Sequence, residues 1–170
     1  MNTTLEQIKA HNPCESSYKK LLKGLNKTKA DSEPLEFRSI YNILNADDVI
    51  WATRVLDKKT RVHVGALFAN TVKHLTKDKR VHDCIEVCFR YARGEATEEE
   101  LKNARDIAAA AHAASARAEA RAAAHAARAD AADAAAYAAY VAADAAADAT
   151  NKQNHKDKLA LIFLTYIEEI

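Results

Sequence analysis

TEEELKNARDIAAAAHAASARAEARAAAHAARADAADAAAYAAYVAADAAADA, residues 97–149, is the stretch whose reading decides the fold. From Ala104 to Ala149 about two-thirds of the residues are alanine and none is glycine or proline, the composition with the strongest preference for helix. It opens on Thr97-Glu98-Glu99-Glu100, a capping box. The Thr97 hydroxyl can accept from the Glu100 NH while the Glu100 carboxylate reaches back to the Thr97 NH. Three carboxylates in that first turn also complement the positive end of the helix dipole, at roughly 0.3 to 1 kcal/mol each. The expected fold class is all-α: a bundle of short helices, a long alanine-rich helix or helical hairpin, and a C-terminal amphipathic helix.

An unbroken helix to Ala149 would be roughly 75 Å long at about 1.5 Å per residue. That is too long for a compact domain of 170 residues. The tract must therefore project as a rod, pair with another copy, or break, with Ser115 and Asp130 the residues best suited to cap a new segment. Its exceptions to alanine are segregated at about 100° per residue. Arg117, Arg121, His125 and Arg128 share one stripe. Glu119, Asp130, Asp133, Tyr137, Tyr140, Asp144 and Asp148 share the opposite one, and methyl faces lie between, where helix backbones can approach closely. The candidate partner- or anion-binding residues are Arg117, Arg121, His125, Arg128, Tyr137, Tyr140 and Asp144. Arginine forks suit phosphate or carboxylate, and tyrosine rings on an alanine background are either anchors against the core or hot spots for a partner. The plainer alternative is a solvated face that keeps an alanine helix in solution.

Working outward, the chain reads as a single domain, 1–170, with a short-helix bundle over 3–93, the alanine-rich helical segment over 98–149 and a terminal helix over 156–170 that packs back. Thr4 to Lys9 forms a short helical piece interrupted by Asn12-Pro13. Cys14 to Leu25 follows, with Tyr18, Leu21, Leu22 and Leu25 as its buried stripe and Gly24 weakening its last turn. Asn26 to Pro34 is polar and reads as a mobile surface loop. Leu35 to Leu44 is helical, and Asn45 or Asp47 can cap the next helix, Asp48 to Leu56. A helix after Thr60 carries Val62, Val64, Leu67, Phe68, Val72 and Leu75, although Val62 and Val64 leave room for a strand-like start. Val81, Ile85, Cys88, Phe89 and Ala92 continue at helical spacing to Gly94, which suits the left-handed position after a helix end. Thr150 to Asn154 reads as the polar turn ending the tract. Lys156 to Ile170 then buries Leu159, Ile162, Phe163, Tyr166, Ile167 and Ile170.

Lys plus Arg total 25 against 24 Asp plus Glu, which argues against nucleic acid as a partner and places any electrostatic role in local segregation. The basic stretches Lys19-Lys20, Lys27-Thr-Lys29, Lys58-Lys59 and Lys77-Asp-Lys79-Arg80 are interrupted by acids and read as solvated loops. No long bulky apolar run appears, and Met1-Asn-Thr-Thr lacks the basic start of a secretory signal. The chain reads as cytoplasmic, with no membrane partner. Cys14, Cys84 and Cys88 read as reduced thiols. His82, Asp83, Cys84, Glu86 and Cys88 cluster on one helix, with His74 nearby, but without CxxC or HExxH spacing they read better as buried thiols and surface charges than as metal ligands. No nucleophile elbow or glycine-rich phosphate loop occurs, and nothing requires His63, Asp47 and Cys14 to meet. The expectation is no enzyme, no cofactor and no metal.

Three further blocks carry a resemblance. Ile50-Trp51-Ala-Thr-Arg54-Val-Leu56, Ala66-Leu-Phe68-Ala69, and above all Ile85-Glu-Val87-Cys-Phe-Arg90-Tyr91-Ala-Arg-Gly94-Glu95-Ala-Thr97-Glu-Glu-Glu-Leu101 precede the alanine tract. With Asn12-Pro-Cys14 before a short helix, this order resembles an alanine-rich immunity-protein family of bacterial toxin-immunity loci and tailed-phage genomes, over roughly residues 12 to 149. The chain departs from the family pattern at Asn70 and Val72, where members often carry Cys-x-Cys, and at Tyr137 and Tyr140, where they commonly carry tryptophan. The resemblance implies a non-enzymatic protein that binds and neutralises a protein target, a toxin or host defence effector, in a bacterial cytoplasm, with no catalytic residues to transfer. Two alternatives arise from the stripes themselves: a binder or sponge of an anionic small molecule such as a signalling nucleotide, and a homo-oligomer built by alanine-face packing.

Overall fold

The computed structural model describes residues 1–75, 77–115 and 149–170, and there the protein is helical. The helices that follow Thr4, Asn45, Asp57, Asp78 and Thr97 each begin where a side chain satisfies a free backbone NH, whereas those starting at Glu15 and Phe37 have no side-chain cap. The Thr4 hydroxyl accepts from Gln7 N at 3.1 Å and starts α1 (Leu5–Ala10). Asn12, at a φ of +53°, then turns the chain into Pro13 and α2 (Glu15–Gly24). Asn45 Oδ1 caps α4 (Ala46–Ala52), and Asp57 caps α5 (Lys58–Asn70) through Lys59 N and Thr60 N. Asp78 caps α6 (Lys79–Arg93), which Gly94 closes at a φ of +80°. The capping box of α7 (Glu98–Ser115) forms as read, with Thr97 N to Glu100 Oε2 at 2.7 Å and Glu100 N to Thr97 Oγ1 at 3.1 Å.

Several expectations are corrected. Leu35-Glu36 is not helical: it forms β2 and pairs antiparallel with β1 (Asn2–Thr3), Thr3 opposite Leu35, before α3 (Phe37–Ile43) begins. Two-residue strands are too short to show a period. α4 starts two residues before Asp48, and Thr53–Val55 tightens into a 3-10 turn. Gly24 has a packing role: a Cβ there would lie 2.4 Å from Cγ2 of Ile43, so α2 passes α3 at a distance only glycine allows. The segment Asn26–Pro34 is a surface loop as expected, and within it Lys27 Nζ lies on Asp31 at 2.6 Å and on Glu33 at 2.7 Å, while the Asp31 carbonyl accepts from Glu6 N. Lys19, Lys20, Lys58, Lys59, Lys79 and Arg80 stand on helices rather than loops.

The last helix, α8 (Ala149–Glu169), includes Thr150 to Asn154, which were expected to form a turn. Asparagine and threonine cost only a few tenths of a kcal/mol each in a helix, so packing further along the element overrides them. α8 buries Leu159, Phe163, Leu164 and Ile167, while Ile170, expected in the core, is 59% exposed. Phe163 meets Phe37 edge to face at 5.1 Å. Burial of a ring this size is worth about 1.5 to 3 kcal/mol. Ion pairs hold both ends of the packed part, Lys156 to Asp47 at 2.8 Å and Arg38 bidentate on Glu168 at 2.6 and 2.9 Å.

The core divides about α5. Val64 and Phe68 join the large aliphatic and aromatic cluster shared by α1 to α4 and α8, whereas Val62 and Ala66 join Cys84, Cys88, Tyr91, Leu101 and Ala108 between α5, α6 and α7. A helix buried on two sides explains the strand-like spacing of Val62 and Val64. No helix among the described residues is long and apolar enough to cross a membrane.

Candidate functional site

The residues chosen from sequence as partner- or anion-binding, Arg117, Arg121, His125, Arg128, Tyr137, Tyr140 and Asp144, lie outside the described residues. So do the proposed break at Asp130 and the choice between one helix and several. The alternatives that depend on them, anion binding and alanine-face oligomerisation, rest on sequence alone.

The remaining sequence candidates separate. Cys84 and Cys88 are buried together, and the hydrogen bond that the Cys88 thiol donates to Cys84, then burial, push the Cys88 thiol well up, so it stays protonated and packs as a small hydrophobe. Asp83 pairs with Lys79 at 2.6 Å, and a ring nitrogen of His82 meets the Lys73 carbonyl at 3.1 Å. Among the described residues no three His, Cys, Asp or Glu side chains converge. Cys14 and Asp47 do share a cavity, between α1, α2, α3 and α4, but His63 is elsewhere.

His63 lies in a groove of about 510 Å³ between α5 and α8. One wall carries His63 and Leu67, four residues apart on α5. The other carries Leu161, Ile162, Thr165 and Tyr166 of α8, with Lys158 toward one end and Glu169 toward the other. Those two charges are roughly 16 Å apart along the helix axis at about 1.5 Å per residue. His63 stacks on Tyr166 with ring centroids 4.3 Å apart and meets the edge of Phe89 at 5.3 Å, joining α5, α8 and α6. Burial, with a smaller contribution from the Arg93 charge, holds His63 below its ordinary value and therefore neutral. Burial, then Asp57, raises the Tyr166 phenol. The groove is thus an apolar trough with neutral aromatic walls and one charge of each sign at its ends.

Sequence reading missed this site. Leu161 is 46% exposed although it sits in an otherwise apolar run from Leu159 to Leu164. That run was the available signal, since five large apolar residues of six cover more than one face of a helix. A smaller concavity on the α6–α7 pair has Ile107, 51% exposed, beside Val87 and Ala104. Chemically, the α5–α8 trough offers no paired acid and base. Its geometry suits reception of an apolar side-chain row from another helix.

Comparison of the chain with models of protein families, with curated proteins and with solved structures finds no match.

Proposed function

We propose that the protein is a non-enzymatic binding protein that neutralises a toxin or host defence effector by direct contact, an immunity or phage counter-defence protein. The observation that carries this reading is the α5–α8 groove, where Leu161 stands 46% exposed beside Leu67, Ile162 and Tyr166. An amphipathic helix laid along the trough would cover Leu161 and Tyr166 with apolar residues at i, i+3, i+4 and i+7. An acidic residue at one end of that helix would meet Lys158, and a basic residue at the other would meet Glu169. Supporting it from sequence is the resemblance of the Arg90 to Leu101 block to immunity proteins.

The test places a photo-crosslinking phenylalanine derivative at position 161 of the full chain in a bacterial host, with the same residue at exposed Glu36 as control. The expected result is one protein adduct from position 161 and none from 36. Co-expression with that captured protein should suppress its toxicity or defence activity, and Leu161→Asp should lose both adduct and protection while keeping the helical circular dichroism. No adduct at 161, or a captured protein whose activity is unchanged, overturns the proposal.

A further inference from the structure

We infer that the cavity between α1, α2, α3 and α4 is a binding site for a small organic cation, one aromatic ring bearing a short ammonium arm. It shares no lining residue with the α5–α8 groove. Its volume is about 200 Å³. An apolar cavity of about 150 Å³ admits benzene, so one ring and a short substituent fit here. The floor is aliphatic, built from Ile8, Leu21, Ile40 and Leu44, and Tyr18 and Trp51 supply aromatic walls.

Charge decides the sign of the ligand. Every ionisable side chain lining the cavity is an acid: Cys14, Tyr18, Asp47 and Asp48. Asp47 and Asp48 stand in the first turn of α4. Two cations approach these walls without lining the cavity. Lys156 pairs with Asp47 at 2.8 Å, and the Arg54 guanidinium lies 5.0 Å from the Trp51 ring centre. Asp48 is half-buried, and its carboxylate has no ion pair among the described residues. It is therefore the counter-ion for an ammonium group, through a charge-assisted hydrogen bond, with the aromatic walls adding cation–π attraction. The Cys14 thiol, 3.1 Å from Ser16 Oγ, is held below its ordinary value by that hydroxyl and then by the backbone NH groups of Ser17 and Ser16.

Trp51 is the single tryptophan of the chain, so tryptophan emission comes from a residue of this cavity's wall. The full-length protein is titrated with 2-phenylethylammonium, 2-phenylethanol and phenylacetate. A saturable emission change is expected with the ammonium compound, affinity about tenfold weaker with the alcohol, and no change with the carboxylate. Asp48→Asn should bring the ammonium compound down to the alcohol. Iodoacetamide should react first at exposed Cys14, since Cys84 and Cys88 are buried, and the ammonium compound should slow that reaction. Equal binding of all three compounds, a preference that survives Asp48→Asn, or absence of both emission change and Cys14 protection would overturn the inference. If Asp48→Asn does not fold, the ranking of the three compounds on the native chain decides.

Discussion

The two sides of α5 are built by different means. On the side of α1 to α4 and α8 the buried residues are large, with Phe37, Phe68, Phe163, Leu159, Leu164 and Ile167 filling space between helices of different directions and lengths. On the side of α6 and α7 they are small, with Ala66, Ala108, Cys84 and Cys88 around Leu101 and Tyr91. Large side chains gain area and tolerate irregular helix ends. Small ones gain little area each, so that side depends on close approach and on polar ties at its hinge. Those ties are present. Arg90 reaches Glu100 and the Glu95 carbonyl, both at 3.1 Å, Tyr91 Oη donates to Glu98 at 3.2 Å, and Lys58 pairs with Glu98 at 3.0 Å.

The comparison can be broken most forcefully in the large cluster. Phe163→Ala removes a fully buried ring that also meets Phe37, and should cost about 3 to 5 kcal/mol, read as a lower denaturant midpoint with Trp51 emission as probe. The small-residue side should fail in the opposite sense, through addition. Ala108→Leu forces α7 away from Cys84 and Cys88 and should cost about 1 to 3 kcal/mol, with amide exchange accelerating in α6 and α7 more than in α3 and α4.

The smallest effect sharpens the boundary between the two sides, where His63 touches Phe89 of one and Tyr166 of the other. Its folded pKa lies below the unfolded value, so the unfolded chain binds more protons as pH falls through about 6.5. The stability this histidine contributes is complete above about pH 6.5 and is lost as pH falls toward its folded value. His63→Phe keeps the stacking and should flatten the decline in melting temperature between neutral and mildly acidic pH. His155, lowered by burial and then by Lys158, acts in the same direction and should leave a residual slope.

Local signals were legible and relational ones were not. The capping box at Thr97 and the left-handed Gly94 depend on residues within one turn and appear where the sequence places them, and of the two caps the sequence allows for α4, Asn45 and Asp47, it is Asn45 that forms. The pairing of Thr3 with Leu35 spans more than thirty residues and has no periodic trace. Thr150 to Asn154 have turn-forming composition, but helix α8 is settled by Phe163 and Leu164 further along. The α5–α8 groove exists only because two elements distant in sequence lie side by side, so His63 and Leu161 could not be joined in advance. The charged and tyrosine stripes chosen from the alanine tract belong to residues outside the description, and the groove and the Asp48 cavity supply the sites that geometry supports.

The two clasps of α8 carry a consequence for synthesis. Lys156 to Asp47 and Arg38 to Glu168 join residues 109 and 130 positions apart. Because the entropy of loop closure grows only with the logarithm of length, so wide a span adds little to the equilibrium cost. In time it matters more, since distant contacts slow folding and a ribosome delivers the chain from its amino end. Phe37, Ile40 and Phe68 will have emerged long before Phe163 arrives to cover them, and the nascent chain must hold an open apolar face throughout translation of the tract.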